Sequence, residues 1–334
     1  MGNQVLKHHL QMHMPAEWEP HRGMLMQWPV SEVVWGENLQ AARRAFSRVA
    51  RAIACFEPLT MIANPGLAKD ARKQCGDKVA VLELPHDDCW VRDNGPTFLK
   101  EERLIAVDWK FNAWGEIYPC FALDDTIPAR LCRLWDIPCL EAPLVLEGGS
   151  IHSNGRGLIL TTEECLLNPN RNPALTKDQI EETLLQYLGA RRVIWLPFGL
   201  YGDETSGHVD NICCFLDAGT VLLHWTEDAA DLDYHRVRKA QKILLENGLG
   251  IEKIPKPPVR FHKGRPLTMS YVNFVFVNQG LILPGFGGPA QKTDKIARGT
   301  MGNLFPDREI LQLPTMDIVK GGGNIHCITQ QIPL

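Results

Sequence analysis

The chain lacks a strong charge of either sign: 35 Lys+Arg face 39 Asp+Glu, for a formal net charge of -4. Nucleic-acid binding usually shows as a clear basic excess, so nucleic acid is not an expected partner. Long hydrophobic runs are also missing. The most apolar stretch, Tyr271 to Phe286, is broken by Asn273, Asn278, Gln279 and Gly280, short of the ~18 apolar residues a membrane helix needs. The first residues, MGNQVLKHHLQMHMPAEW, hold no hydrophobic signal core, and Leu6 stands where myristoylation requires Ser or Thr. A soluble, cytoplasmic protein with no membrane contact is therefore expected. No pair of the ten cysteines has C-x-x-C spacing, which leaves no ready redox or zinc motif. P-loop and dinucleotide fingerprints are missing too, so neither a metal nor an organic cofactor is expected.

What is there is ordinary globular composition, 45% hydrophobic and 22% charged, which excludes a disordered chain. No low-complexity tract or long linker divides it. The expectation is one catalytic domain over 1–334, with 1–13 as a short N-terminal tail. Helical period is clearest at 37–56, where Leu39, Ala42, Phe46, Val49, Ala50 and Ile53 share a face opposite arginines. Further helices are expected at 176–188, capped by Thr176, at 230–247, closed by Gly248, and briefly at 124–134. Short apolar runs at 59–63, 79–84, 104–109, 157–162, 192–197, 220–225, 273–278 and 281–286 read as strands. Their alternation with helices makes the class α/β or α+β.

A repeat is visible: GGSIHS at 148–153 and GGNIHC at 322–327 share four of six letters. Recurrence of one supersecondary unit is how a propeller-like ring is built. Five segments are rich in glycine and reactive groups: DDCWVRDNGP (87–96), LEGGSIH (146–152), GDETSGHVDN (202–211), SYVNF (270–274) and GGGNIHC (321–327). Asp93 to Glu147 is 54 positions, Glu147 to His208 is 61, and Asn273 to Cys327 is 54. Such even spacing is expected if each unit delivers one segment to a common centre.

Cys327 follows three glycines, an asparagine and a histidine. A glycine run lowers helix and strand preference and permits close approach, which a thiolate nucleophile can use. A buried thiol beside a turn is the alternative, and it is the better reading for the other nine. His208 and Asp210, in GHVDN, would share a face if that segment is a strand. They would then join an acid/base imidazole to an anionic anchor, or form a hydrogen-bonded core pair. Asp87, Asp88 and Asp93 cluster near Trp90, a combination suited to a cation. Glu147 alone reads as a turn acid. One cysteine, one histidine and three carboxylates together suit a planar guanidinium, which pairs bidentately with carboxylates.

The sequence resembles the agmatine deiminases, in the guanidine-modifying superfamily. The resemblance rests on MPAEWEPH, WVRDNGPTF, LEGGSIH, LLNPNRNP, GHVDNICCF, VLLHWTED, SYVNF, FPDRE and GGGNIHCITQQ, in order from residue 14 to 333. It implies a five-bladed α/β propeller (a pentein) with pseudo-fivefold ββαβ repeats around a central site. It implies Cys327 as nucleophile and His208 as general acid/base. Asp93 and Asp210 would hold the guanidinium, Glu147 would orient His208, and Trp90 would wall the substrate slot. The implied reaction converts agmatine to N-carbamoylputrescine and ammonia through an amidino-cysteine, in polyamine synthesis or agmatine catabolism; the alternatives are deimination of free arginine or peptidyl-arginine, or a non-catalytic guanidinium-binding propeller. A homo-oligomer, most simply a dimer, is expected. Asp87 and Asp88 are candidates for the distal ammonium.

Overall fold

The computed structural model describes residues 12–334. Five mixed sheets account for nearly all strands. Four follow one plan: an antiparallel pair, then a helix, then a third strand parallel to the second. In the second unit, Thr97–Lys100 pairs antiparallel with Leu104–Lys110, the helix Ile127–Trp135 intervenes, and Cys139–Val145 returns parallel. The same plan recurs in Ile151–Ser153, Leu158–Thr162 and Arg192–Leu196. It recurs again in Cys213–Phe215, Thr220–Trp225 and Gly250–Pro255, and in Val275–Val277, Gly280–Gly285 and Glu309–Pro314. The remaining sheet closes the chain on itself. Its last strand, Gln330–Pro333, pairs antiparallel with His21–Gln27, followed in parallel by Leu59–Ala63 and Val79–Glu83. Four units have the expected ββαβ order and the fifth extends it by one helix and one strand, an α/β arrangement consistent with the expected five-bladed propeller.

Local chemistry explains the elements. Leu39–Ile53 buries Ala42, Phe46, Val49, Ala50 and Ile53, while Arg44 and Arg51 stay exposed. Burial of such a stripe, rather than propensity, holds a helix of this length. Lys177–Leu188 opens on a complete capping box, in which Thr176 accepts from the Gln179 backbone and Gln179 answers to the Thr176 N–H. The 230–247 helix starts later, at Tyr234. The Asp231 and Asp233 carboxylates instead bind the Lys256 ammonium. Helices Ala68–Cys75 and Gln291–Leu304 are additional to those expected from sequence.

Residues 1–11 of the expected tail lie outside the described residues. Met12 is buried, and His13 exchanges two backbone hydrogen bonds with Lys100, so these two belong to the packed body. No helix among the described residues is long and apolar enough to cross a membrane. All ten cysteines are free thiols; Cys55 and Cys120 are exposed, Cys139 is half-buried and seven are buried.

Candidate active site

Each unit sends the turn before its first strand to one place. Val91–Asn94 carries Asp93, the turn Gly148–Ser150 follows Glu147, Val209–Ile212 carries Asp210, and Asn273 and Cys327 precede their strands. The GHVDN segment is not the expected strand. His208 caps a single helical turn, after Ser206 and Gly207 reverse the backbone at φ +66° and +85°. His208 and Asp210 still meet in one site, through that turn rather than through strand alternation.

Gly149 marks the point of convergence. A β-carbon there would lie 2.7 Å from His208 Nδ1, 2.8 Å from Asp93 Oδ1 and 3.0 Å from Asp210 Oδ2. Only glycine leaves this space open. The Gly149 N–H donates to Asp93 Oδ1 at 2.9 Å, and Trp114 Nε1 donates to Asp93 Oδ2 at 2.9 Å. Trp114 reaches it from a left-handed run: Ala113, Trp114 and Glu116 have φ of +50°, +58° and +62°. Asn170 and Arg171 hold that run by bonding Asn112 and the Trp114 carbonyl. Non-glycine residues persist there only when their surroundings over-determine them.

Cys327 Sγ lies 3.6 Å from Asp210 Oδ2 and 3.2 Å from Asn273 Nδ2, which donates to it. Asp210 Oδ1 is buried and receives no protein hydrogen bond among the described residues. Buried acceptors rarely go unpaired, and this oxygen is free to accept from a donor that enters the site. His208 Nε2 sits 3.5 Å from Glu147 Oε2, which is in turn fixed through Oε1 by Arg171 Nε at 2.7 Å.

Burial sets the background charge of the site and the pairs correct it. Burial pushes Asp93 up to about 6, against the pull of His208. Burial also raises Glu147, but Arg171 and His208 outweigh it and leave the carboxyl below its usual range. Burial would lower His208; Asp93, the Cys165 thiol and Glu147 outweigh that and hold the ring well above its usual value. Burial, then Asp210 and Asp93, push the Cys327 thiol well up.

The thiol opens onto a pocket lined by Trp90, Trp114, Tyr118, Glu204 and the glycines 321–323 among others. A β-carbon on Gly323 would meet the Trp90 ring at 2.5 Å, so the glycine run lets this aromatic wall approach the thiol. Trp90 stacks on Trp35 at 5.7 Å and donates to Asp88 Oδ2 at 2.9 Å. Asp88 is thereby engaged. Asp87 accepts from the Leu123 backbone at 2.8 Å, and neither acid lines the pocket. The acid at the pocket mouth is Glu204, which sequence reasoning passed over although it lies in a marked segment. Asn273 also lay in a marked segment without an assigned role. Arg171 and Glu17 lay in the LLNPNRNP and MPAEWEPH motifs.

Among the described residues two buried sets could be asked to hold a metal: Glu17, His152 and His326, and Glu147, Cys165 and His208. Neither fits a divalent cation, because Glu17 is already paired with Arg92 and Glu147 with Arg171.

The model of the Porphyromonas-type peptidyl-arginine deiminase family matches residues 13–333. A Legionella pneumophila relative is 44% identical, covering 96% of this chain and 94% of its own. An agmatine deiminase of Pseudomonas aeruginosa is 42% identical, with coverage of 96% and 95%. The solved agmatine deiminase of Enterococcus faecalis superposes with a TM-score of 0.92 at 34% identity, covering 100% of this chain and 98% of that one. Blade order, the converging turns and these matches agree, and the chain belongs to the Porphyromonas-type peptidyl-arginine deiminase family.

Proposed function

We propose that this protein hydrolyses agmatine to N-carbamoylputrescine and ammonia, with Cys327 as nucleophile. The observation that carries the reading is the buried Asp210 carboxylate, whose Oδ1 is unpartnered and whose Oδ2 lies 3.6 Å from the thiol, opposite Asp93 across Gly149. Two carboxylates suit a guanidinium held bidentately. Its positive charge lowers the cost of ionising Cys327. The thiolate attacks the guanidinium carbon, and the charged His208 gives its proton to the departing nitrogen, which leaves as ammonia. The S-amidino group stays on Cys327. Neutral His208 then takes a proton from water as the oxygen bonds to the same carbon. The carbon–sulfur bond breaks, the thiolate is restored, and the remaining hydroxyl proton converts ammonia to ammonium. The product would serve polyamine synthesis or agmatine catabolism.

Agmatine is favoured over arginine by the charge of the pocket lining. The charged members of the pocket at the thiol are Asp93 and Glu204; Lys263, Arg265 and Lys320 line only the adjoining cavity beyond Glu204. We assign the distal ammonium to Glu204. Glu204→Gln is expected to raise KM for agmatine about fivefold, the scale of one exposed ion pair, with kcat nearly unchanged. A fall in kcat without a change in KM would remove Glu204 from this role.

The test of the reading is ammonia release from agmatine and free arginine in parallel. Turnover of agmatine alone is expected; a preference for arginine would reverse the substrate assignment. Asp93, at about 6 in the free enzyme, gives the pH dependence its sign. Protonation removes a guanidinium acceptor, so kcat/KM for agmatine should fall as pH drops through about 6. A profile flat down to pH ~4.5 would show that Asp93 is not the titrating group.

A further inference from the structure

His326 precedes the nucleophile and has no place in the reaction above, yet both of its ring nitrogens meet buried carboxylates. Nδ1 lies 2.9 Å from Asp210 Oδ2, and Nε2 lies 2.8 Å from Glu17 Oε1. A neutral imidazole can donate from only one nitrogen. The other would face a carboxylate lone pair to lone pair, at a distance that only a hydrogen bond permits. With the substrate reading above as its premise, we propose that His326 is a permanently charged positioning residue. It holds Asp210 ionised and oriented toward the guanidinium, with Glu17 as its counter-ion.

The groups around the ring support that charge. Glu17 also accepts from Arg92 Nη1 at 3.2 Å and faces His152 Nε2 at 3.7 Å. Arg92 Nε donates to the His326 carbonyl at 3.3 Å, and its Nη2 to Gln331 at 2.8 Å. The two histidines of the sequence repeat, His152 and His326, stack with centroids 6.2 Å apart. Burial pushes His152 down to about 4, so it adds no charge near neutrality. Beyond Asp210 stand the Cys327 thiol and the His208 ring. Glu17 and Asp210 against Arg92 and His326 make a neutral buried quartet. Were His326 uncharged, one carboxylate would be left without compensation in a water-poor site and would take up a proton. Burial and Arg92 pull the His326 ring down, but Glu17 and Asp210 outweigh them, so it ends above its ordinary value. Asp210 ends below its own, mainly through the bond to His326 once burial is overcome. The two guanidinium acceptors thus differ: Asp93 can be neutralised in mild acid, whereas Asp210 is clamped as an anion. The first motif of the chain, MPAEW, reaches the substrate through this clamp.

The test uses His326→Asn and, in case that variant folds poorly, Glu17→Gln, which keeps the ring. Loss of one charge-assisted bond should lower kcat/KM for agmatine about 10- to 100-fold in His326→Asn. On the acid limb, set by Asp93 alone in the wild type, protonation of Asp210 should now join that of Asp93, so the limb should steepen and move up. Glu17→Gln should move both in the same direction by less, since Arg92 remains. Asp210→Asn should cost less in the His326→Asn background than alone. An independent readout is the ring ¹⁵N signal of His326, identified by its loss in His326→Asn. It should stay that of an imidazolium from pH ~5 to ~9, whatever the substrate proves to be. A ring that titrates near neutrality overturns the proposal. So does an unmoved acid limb in both variants alongside a lowered melting temperature, which would make the role merely structural. If the wild type leaves agmatine untouched, the substrate reading fails while the ring titration still judges the charge.

Discussion

Cys327→Ala is expected to lower kcat for ammonia release from agmatine by about 10⁴-fold or more, the scale seen when a covalent nucleophile is removed. The fold should survive the change. The side chain is small and buried at 5% exposure, and its thiol contacts the Asn273 amide and the Asp210 carboxylate. Agmatine should still bind, because Asp93, Asp210 and Glu204 remain. The combination of intact melting behaviour, retained binding and lost turnover separates a missing nucleophile from a damaged site. Retained activity would exclude thiol chemistry at this position. None of the other nine cysteines offers a substitute beside the Trp90–Trp114 pocket; Cys165 sits behind His208, 3.9 Å from Glu147.

The second large loss is expected at His208. Proton transfer by a positioned side chain contributes about 10²- to 10⁴-fold, and this ring would serve in both halves of the reaction. His208→Asn should therefore lower kcat by an amount in that range. The sign of the pH effect follows from the raised value of the ring. In the wild type His208 is charged at neutral pH and ready to protonate the leaving nitrogen, and kcat should decline as alkaline pH strips that proton. In His208→Asn this alkaline decline should vanish. An alkaline limb that persists in the variant would assign it to another group. Glu147 should matter through His208, since it faces Nε2 while Arg171 fixes its other oxygen.

Much of this site was legible because its chemistry sits in short, glycine-rich segments at even spacing. The converging turns bear out the reading of one segment per unit, and the GGxIH repeat brings His152 and His326 together at Glu17. Three things were hidden. The single helical turn at Val209–Ile212 could not be read, because four residues carry no period and Ser206 adopts a backbone that glycine usually supplies. The run of left-handed residues that aims Trp114 at Asp93 is fixed by Asn170 and Arg171 from another unit, a tertiary constraint without a local signature. The third is the choice of acid at the pocket mouth. Asp87 and Asp88 lie near Trp90 in sequence, but backbone N–H groups and the indole take up their oxygens. Glu204, on a loop from another blade, lines the pocket instead. Strands that begin or close blades, such as His21–Gln27 and Gln330–Pro333, pair across more than 300 positions and gave no local alternation to read.

The most direct test of covalent deimination at Cys327 is mass analysis of enzyme quenched in acid while turning over saturating agmatine. The Cys327 peptide should carry an added mass equal to agmatine less ammonia, in the wild type or in the slower His208→Asn variant, and the adduct should decay when substrate is exhausted. Ammonia release at full rate with no adduct on Cys327 in either protein, or an adduct on a different residue, would contradict the account.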